Sequence, residues 1–319
     1  MEQHDLIVVT PVYEDVEACS RLFKELADQF NERLFVVAVD DGSVRQPLDV
    51  GCLEAAGVKG VVIKLKRNVG HQKAIAIGLS YISDKLGPDQ RVVVMDSDGE
   101  DLPATIPTLL KQLQRDDVDV AVAHRKSRVE TWRFKLFYAI YKRVFKVMTG
   151  RPISFGNFMA LKRASVKRLV AMQELPIHVA GAVLASKLRT GVCPLDRGPR
   201  YAGQSKMNFV GLVLHGFKGL MVFAEDVLVR VGIACGLIAA LSVAGAGTAV
   251  ALKVIGYSSR GWFSVAIGIL ILMFMQTGAL ALMTLMLTGI VRGGSTTMSS
   301  AYQDLIDEVL PTALPRGLR

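Results

Sequence analysis

Val92-Val93-Val94-Met95-Asp96-Ser97-Asp98-Gly99-Glu100-Asp101-Leu102-Pro103 is a short apolar run that turns abruptly acidic, with four carboxylates in six positions. An uninterrupted apolar run of this length fits a strand covered on both faces, and the polar stop marks its carboxyl end. Asp96 and Asp98 alternate along an extended segment, with Glu100 and Asp101 following. Carboxylates this close repel one another unless a cation neutralises them. Hard oxygen ligands suit Mg2+ or Mn2+, which often take substrate phosphates as their remaining ligands. A cation so placed would clamp a diphosphate and stabilise it as a leaving group.

The same pattern recurs on either side. Apolar runs over 6–10, 34–39, 61–65 and 118–123 read as further strands, and helical spacing marks 14–30, 70–82 and 104–113. Alternation of this kind predicts an α/β fold, a mostly parallel sheet with helices on both faces. Such sheets bind ligands at the carboxyl ends of their strands. Four of the five strand ends carry polar clusters: Pro11-Val12-Tyr13-Glu14, Asp40-Asp41-Gly42-Ser43, Lys66-Arg67-Asn68-Val69-Gly70-His71 and 96–101. Asp-Gly pairs also make good turns, so any one cluster taken alone could be only a turn or a helix cap. Their convergence at one sheet edge is the functional signal. No Gly-x-Gly-x-x-Gly follows the first strand and no P-loop occurs, which leaves dinucleotide-binding and P-loop readings without support.

The chain has 319 residues, 51% hydrophobic and 21% charged, too apolar for a disordered protein. Its four cysteines, Cys19, Cys52, Cys193 and Cys235, include no Cys-x-x-Cys, so neither a zinc site nor a disulfide framework is expected. Residues 231–252 and 261–291 carry no charge. At ~1.5 Å per residue the shorter run spans ~33 Å, enough for the hydrocarbon core of a bilayer. A transmembrane hairpin is therefore expected over 231–291, preceded by an amphipathic interfacial helix over 207–230 and followed by a weakly ordered cytoplasmic tail over 292–319. The run at 6–10 is too short for a signal peptide. The expectation is a multi-pass protein of the cell membrane with a cytoplasmic catalytic domain over 1–206. Composition does not choose between a monomer and a homo-oligomer.

The net charge is +9, and residues 124–170 alone hold thirteen Lys and Arg against one acid, Glu130. Beside a membrane hairpin this basic segment points to anionic lipid headgroups. No zinc finger, helix-turn-helix signature or aromatic-basic platform is present, so nucleic acid is not expected as a partner.

Pro11-Val12-Tyr13-Glu14, Asp40-Asp41-Gly42-Ser43, Asn68-Val69-Gly70 and Asp96-Ser97-Asp98, in that order, resemble glycosyltransferase family 2. Asp96-Ser97-Asp98-Gly99-Glu100-Asp101-Leu102-Pro103 and Arg200-Tyr201-Ala202-Gly203-Gln204-Ser205-Lys206 are similar to its dolichyl-phosphate mannose synthase and bacterial polyprenyl-phosphate glycosyltransferase branch. His124, Glu100 and the segment 175–178 depart from that branch's pattern.

The resemblance implies a GT-A-like domain and inverting transfer of one sugar from a nucleotide sugar to a polyprenyl phosphate at a lipid bilayer. It implies Mg2+ or Mn2+ as cofactor, with Asp96, Asp98 and Glu100 at the metal. Donor contacts fall to Pro11, Tyr13, Glu14, Asp40, Asp41, Asn68, Gly70, His71, Asp96, Ser205 and Lys206. Arg125, Arg128, Lys135 and Arg200 would meet the acceptor phosphate, and Asp98, Arg125, Arg128 and Lys206 would carry the catalytic step. A lipid phosphate is already an anion, so no general base is required, and none is evident. Gly156-Asn157-Phe158 reads either as pocket lining or as a turn before a strand. Two other readings stay open: a different membrane lipid or glycan acceptor, and a non-catalytic scaffold for a flippase. Asp96, Asp98 and Lys206 argue against the scaffold.

Overall fold

The computed structural model describes residues 1, 4–125, 132–152, 155–201, 209–257, 261–293 and 302–313. Eight strands form one mixed sheet: β1 (Leu6–Val12), β2 (Leu34–Asp40), β3 (Lys59–Leu65), β4 (Arg91–Val94), β5 (Val120–Arg125), β6 (Met159–Lys162), β7 (Thr190–Leu195) and β8 (Ile306–Pro311). Their order across the sheet is β7-β5-β6-β4-β1-β2-β3-β8. The central strands β3, β2, β1 and β4 run parallel, β6 lies antiparallel to both β4 and β5, and β8 lies antiparallel to β3.

Successive residues of each strand alternate between two cores. Val8, Val36 and Val93 face α1 (Val16–Phe30) and α4 (Ile106–Leu113) through Leu22, Phe23, Leu26, Leu109 and Leu113. Val9, Val37 and Val94 face α3 (His71–Ser83) and α6 (Arg163–Val170) through Ile75, Leu79, Ile82 and Leu169. With both faces covered the central strands β1, β2 and β4 are largely apolar, as their sequences predict. A fully buried leucine such as Leu22 or Leu79 contributes about 2 kcal/mol.

The chain divides into two compact units. The first comprises Met1–Phe145, Arg151–Val222 and Thr297–Arg319, and contains the sheet. Besides the helices above it includes α2 (Gly51–Ala55), α7 (Val179–Ala185) and α8 (Phe209–Met221). The second comprises Lys146–Gly150 and Phe223–Thr296. It holds α9 (Ala224–Val254) and α10 (Trp262–Gly293), which pack on each other and are long and apolar enough to cross a membrane. The helix α5 (Trp132–Thr149) runs from the first unit into the second.

Three expectations are corrected. The tail after 292 is not weakly ordered throughout, because 306–311 form β8 on the edge of the sheet. The helix expected over 207–230 is two helices, α8 ending at Met221 and α9 starting at Ala224. Glu225 and Asp226 sit in the first turn of α9, where carboxylates favour a helix N-terminus. The first helix starts at Val16 rather than at 14: Asp15 caps it by accepting from the Ala18 N–H, and Glu14 has φ +48°.

Candidate active site

Four loops leave the carboxyl ends of β1, β2, β3 and β4, and the carboxylates on them are held in two different ways. On the β1 and β2 loops they bind backbone. Both Glu14 oxygens are engaged by the N–H groups of Val44, Arg45 and Gln46 at 2.8–3.2 Å. Those N–H groups, Val44 first, hold the Glu14 carboxyl below the usual carboxylate range. Asp40 is buried and accepts from Ser43 N–H at 3.0 Å and Leu48 N–H at 2.9 Å. Asp41, also buried, accepts from Val69 N–H at 2.7 Å and Gly70 N–H at 3.0 Å. Burial pushes the Asp41 pKa up, against the pull of those two bonds.

Asp41 thus ties the β2 loop to the β3 loop. Gly42 makes the approach possible. It has φ +68°, and a Cβ there would overlap the Arg67 carbonyl carbon and stand 2.6 Å from Asn68 N. The reach of the Asp-Asp-Gly-Ser cluster is therefore a matter of geometry: it closes the cradle in which the third cluster is presented. Tyr13 lies half exposed at its rim, and Pro11 is buried within β1.

On the β4 loop Asp96, Asp98 and Glu100 meet side chains, although Asp98 also accepts the Glu100 N–H and Asp101 the Asp96 N–H, both at 3.0 Å. Asp98 pairs with Arg200 Nη2 at 2.9 Å, and Glu100 pairs with Arg200 Nε at 3.1 Å and with Arg197. Both arginines lie on the segment after β7, which docks along the acidic loop through Gly198 N–H to Glu100 O (3.0 Å) and Tyr201 N–H to Asp98 O (2.9 Å). Gly99 has φ +86°, and a Cβ there would strike the Tyr201 ring at 2.6 Å. Tyr201 is itself pinned, its hydroxyl donating to Glu25 and its ring lying under Arg21. Burial pulls the Arg197 pKa down, with Asp98 acting in the opposite sense.

Asp96 lies 3.1 Å from His71 Nε2, and the same nitrogen lies 3.0 Å from the Asn157 amide nitrogen. Asn157 accepts from Gln72, whose own carbonyl accepts the Val179 N–H at 2.6 Å. Burial lowers the His71 pKa, but Asp96 and then Asp101 and Asp98 outweigh it, and the net shift is upward. A shallow cleft beside this cluster is lined by Glu100, Asp101, Gly156, Phe158, Asp196 and Arg197. Gly156-Asn157-Phe158 thus both precedes a strand, β6, and borders the site.

The structure brings together Glu14, Asp40, Asp41, Asn68, Gly70, His71, Asp96, Asp98, Glu100 and Arg200 among the residues singled out in the sequence. Among the described residues no three His, Cys, Asp or Glu side chains converge as a ready metal cage, because Asp98 and Glu100 turn to arginine and Asp96 turns to His71. Arg128, Ser205 and Lys206 lie outside the described residues. Arg125 ends β5 and Lys135 lies in α5, with side chains outside the described set. Arg197, Gln72 and Tyr201 were not singled out as site residues. Arg197 had one signal, its place in Asp196-Arg197-Gly198-Pro199-Arg200 just before the segment that resembles the family. His178 is a cap: its Nδ1 accepts from Gly181 N–H at 2.9 Å, and burial, with His215 4.6 Å away, pushes its pKa down to about 3.

A chain 26% identical over 231 residues, covering 69% of this one and 70% of its own length, is an uncharacterised glycosyltransferase of Synechocystis. Undecaprenyl-phosphate 4-deoxy-4-formamido-L-arabinose transferases are also similar. That of Enterobacter is 25% identical, covering 66% of this chain and 64% of that protein, and that of Sodalis glossinidius is 27% identical, covering 65% and 64%. Among solved structures, glucosyl-3-phosphoglycerate synthase of Mycobacterium tuberculosis with Mg2+ and UDP matches with a TM-score of 0.49 at 13% identity, covering 70% of this chain and 80% of that one. Residues 7–170, which run from β1 through α6 and carry all four strand-end loops, match the glycosyl transferase family 2 profile. A sheet whose carboxyl edge gathers these loops, together with that match over half of the sequence, establishes that the chain belongs to glycosyl transferase family 2.

Proposed function

We propose that the protein transfers one sugar, with inversion, from a nucleotide sugar to a polyprenyl phosphate at the cytoplasmic face of a membrane. The observation that carries this reading is the gathering of Asp96, Asp98 and Glu100 beside the Asp41–Gly70 cradle, with His71 on Asp96 and arginines on Asp98 and Glu100. The cradle is assigned to the nucleotide, and the acidic loop beside it to the diphosphate. The named undecaprenyl-phosphate transferases support the acceptor. The two membrane-length helices support it too, since large apolar side chains such as Leu237, Leu241, Leu272 and Met275 face outward.

The carboxylates fit a hard divalent cation: their oxygens are hard donors, and their present partners are cations that another cation would replace. Asp98 and Glu100, with Asp96, would hold it, and Mg2+ or Mn2+ bound there would neutralise the diphosphate as it leaves. A phosphate oxygen of the lipid attacks the anomeric carbon, the bond from that carbon to the diphosphate oxygen breaks, and the nucleoside diphosphate departs with the electron pair. No proton has to be removed from the acceptor, so the chain's task is to orient two anions. Arg125, Arg128, Lys135 and Arg200 are assigned to the acceptor phosphate, and Ser205 and Lys206 to the donor diphosphate. Arg200 would have to exchange Asp98 and Glu100 for phosphate oxygen as the substrates bind.

The test is a donor screen with purified protein in detergent, Mg2+ or Mn2+, undecaprenyl phosphate and each common UDP- and GDP-sugar. Label moving into an organic-soluble product, and abolished by EDTA, is the expected result. Sugar transfer only to other lipids or glycans would replace the acceptor. Nucleotide binding without any turnover would replace the enzyme reading by a scaffold.

A further inference from the structure

Beyond 293 the chain re-enters the first unit, and residues 302–313 line one edge of the sheet. β8 pairs with β3 from Val61↔Pro311 to Leu65↔Ile306. Thr312 N–H donates to Gly60 O at 3.0 Å, and Lys66 N–H donates to Leu305 O at 3.0 Å. Lys64 and Glu308 face each other across the ladder, and Ala313 N–H reaches Glu54 at 2.9 Å. Leu310 packs on one core, and Tyr302, Leu305 and Ile306 pack on the other.

The placement matters because of what β3 carries. Lys66 is the first residue of the loop 66–70. The register shifts at Lys64/Leu65, where an irregularity re-aims the strand just before that loop. Three and four residues beyond Lys66, Val69 and Gly70 give their N–H groups to Asp41, and Arg67 and Asn68 lie against Gly42. A path therefore runs from Leu305, the residue before β8, by a hydrogen bond to Lys66, along the backbone to 69 and 70, and by two more hydrogen bonds to the β2 loop. Without β8 the N–H and C=O groups of β3 on that side would have no strand to meet, and the loop would hang from a free edge.

We propose that β8 is a positioning element for donor binding: the strand that follows the second membrane-length helix holds the 66–70 loop in register against Asp41 and Gly42. The binding half of this statement rests on the donor assignment above, whereas the loop half does not. The parity of the ladder makes the idea testable. Antiparallel pairs alternate, so the Thr312 bond to Gly60 implies that the N–H groups of 310 and 308 face β3 and those of 311 and 309 face outward. Pro311, which lacks an N–H, occupies an outward position.

In the full-length protein, Glu308→Pro removes an inward N–H, Val309→Pro removes an outward one, and Glu308→Ala removes only the Lys64 partner. Amide exchange at 69 and 70, Mn2+-dependent binding of UDP and GDP by calorimetry, and the thermal midpoint are measured on each. Glu308→Pro is expected to speed exchange at 69 and 70 at least ten-fold and to weaken nucleotide binding by a similar factor, with little change at β1 and β4. Val309→Pro and Glu308→Ala are expected to stay near wild type. Unchanged exchange at 69 and 70 in Glu308→Pro overturns the proposal. So does faster exchange spread evenly over the sheet, which marks general destabilisation. If the wild type binds neither nucleotide, the donor assignment fails and the exchange data alone decide the loop. Should Glu308→Pro not fold, Glu308→Lys takes its place. It sets two lysines face to face, and adding Lys64→Glu must restore slow exchange if the ladder positions the loop.

Discussion

The β2 loop and the β4 loop are both acidic, both begin where a strand ends, and lie at one sheet edge on either side of β1. Yet Asp40 and Asp41 spend both oxygens on backbone N–H groups, whereas Glu100 and one oxygen of Asp98 meet arginine. A backbone N–H has nowhere else to go, so removing its acceptor leaves a buried orphan. A guanidinium on a surface segment can leave, and its departure exposes a carboxylate ready for another cation. The same residue type therefore builds the frame in one loop and offers exchangeable charge in the other.

The sharpest break of this contrast is Asp98→Asn. The amide keeps an oxygen for the Glu100 N–H but no charge, so sugar transfer should fall on the order of 10³-fold while the thermal midpoint holds. Near-normal turnover would return Asp98 to the class of frame residues. Asp40→Ala should do the reverse. It orphans the Ser43 and Leu48 N–H groups, and a loss of about 2–4 kcal/mol in unfolding free energy is expected. Chemical denaturation that shows no loss would mean that the β2 loop is held by something else.

A third prediction concerns the frame around His178. Its folded-state pKa is depressed to about 3 from an ordinary 6.5, first by burial. The unfolded chain therefore binds the proton more readily. The stability that neutral His178 lends is fully present above about 6.5 and drains away as pH falls toward 3. His178→Asn, which keeps a side-chain acceptor for Gly181 N–H, should flatten the stability profile over that window. An unaltered profile would refute the assignment. The smallest effect is at the exchangeable end. Removing a partly exposed counter-ion in Arg197→Gln should tighten Mn2+ binding a few-fold, since such pairs are worth about 1 kcal/mol or less. Manganese titration followed by paramagnetic resonance reads this without turnover, and weaker binding would make Arg197 a support for the cation site rather than its competitor.

Much of the frame was legible beforehand because its signals are local. β1 to β5 are apolar runs bounded by polar clusters, and both membrane-length helices are uncharged stretches. The edge strands were not. β7 contains Gly191 and Pro194, and β8 reads Ile-Asp-Glu-Val-Leu-Pro with mostly exposed side chains. An edge strand covered on fewer sides has no continuous apolar run to display, and it tolerates Pro and charge because one row of its backbone groups faces solvent. β6 is only four residues long and emerges from a basic segment.

In the site, the sequence alone determined which residue types would gather at the carboxyl edge, because strand ends and turn chemistry follow from neighbours along the chain. It did not determine what each carboxylate would hold. Asp98 and Arg200 are about a hundred positions apart, Asp41 and Gly70 about thirty, and Lys66 meets Leu305 from beyond the second membrane-length helix. Only the tertiary structure decides such pairings. A hydrogen bond depends on ångström-scale approach and angle, and those are set by how the sheet twists and packs rather than by the order of residues.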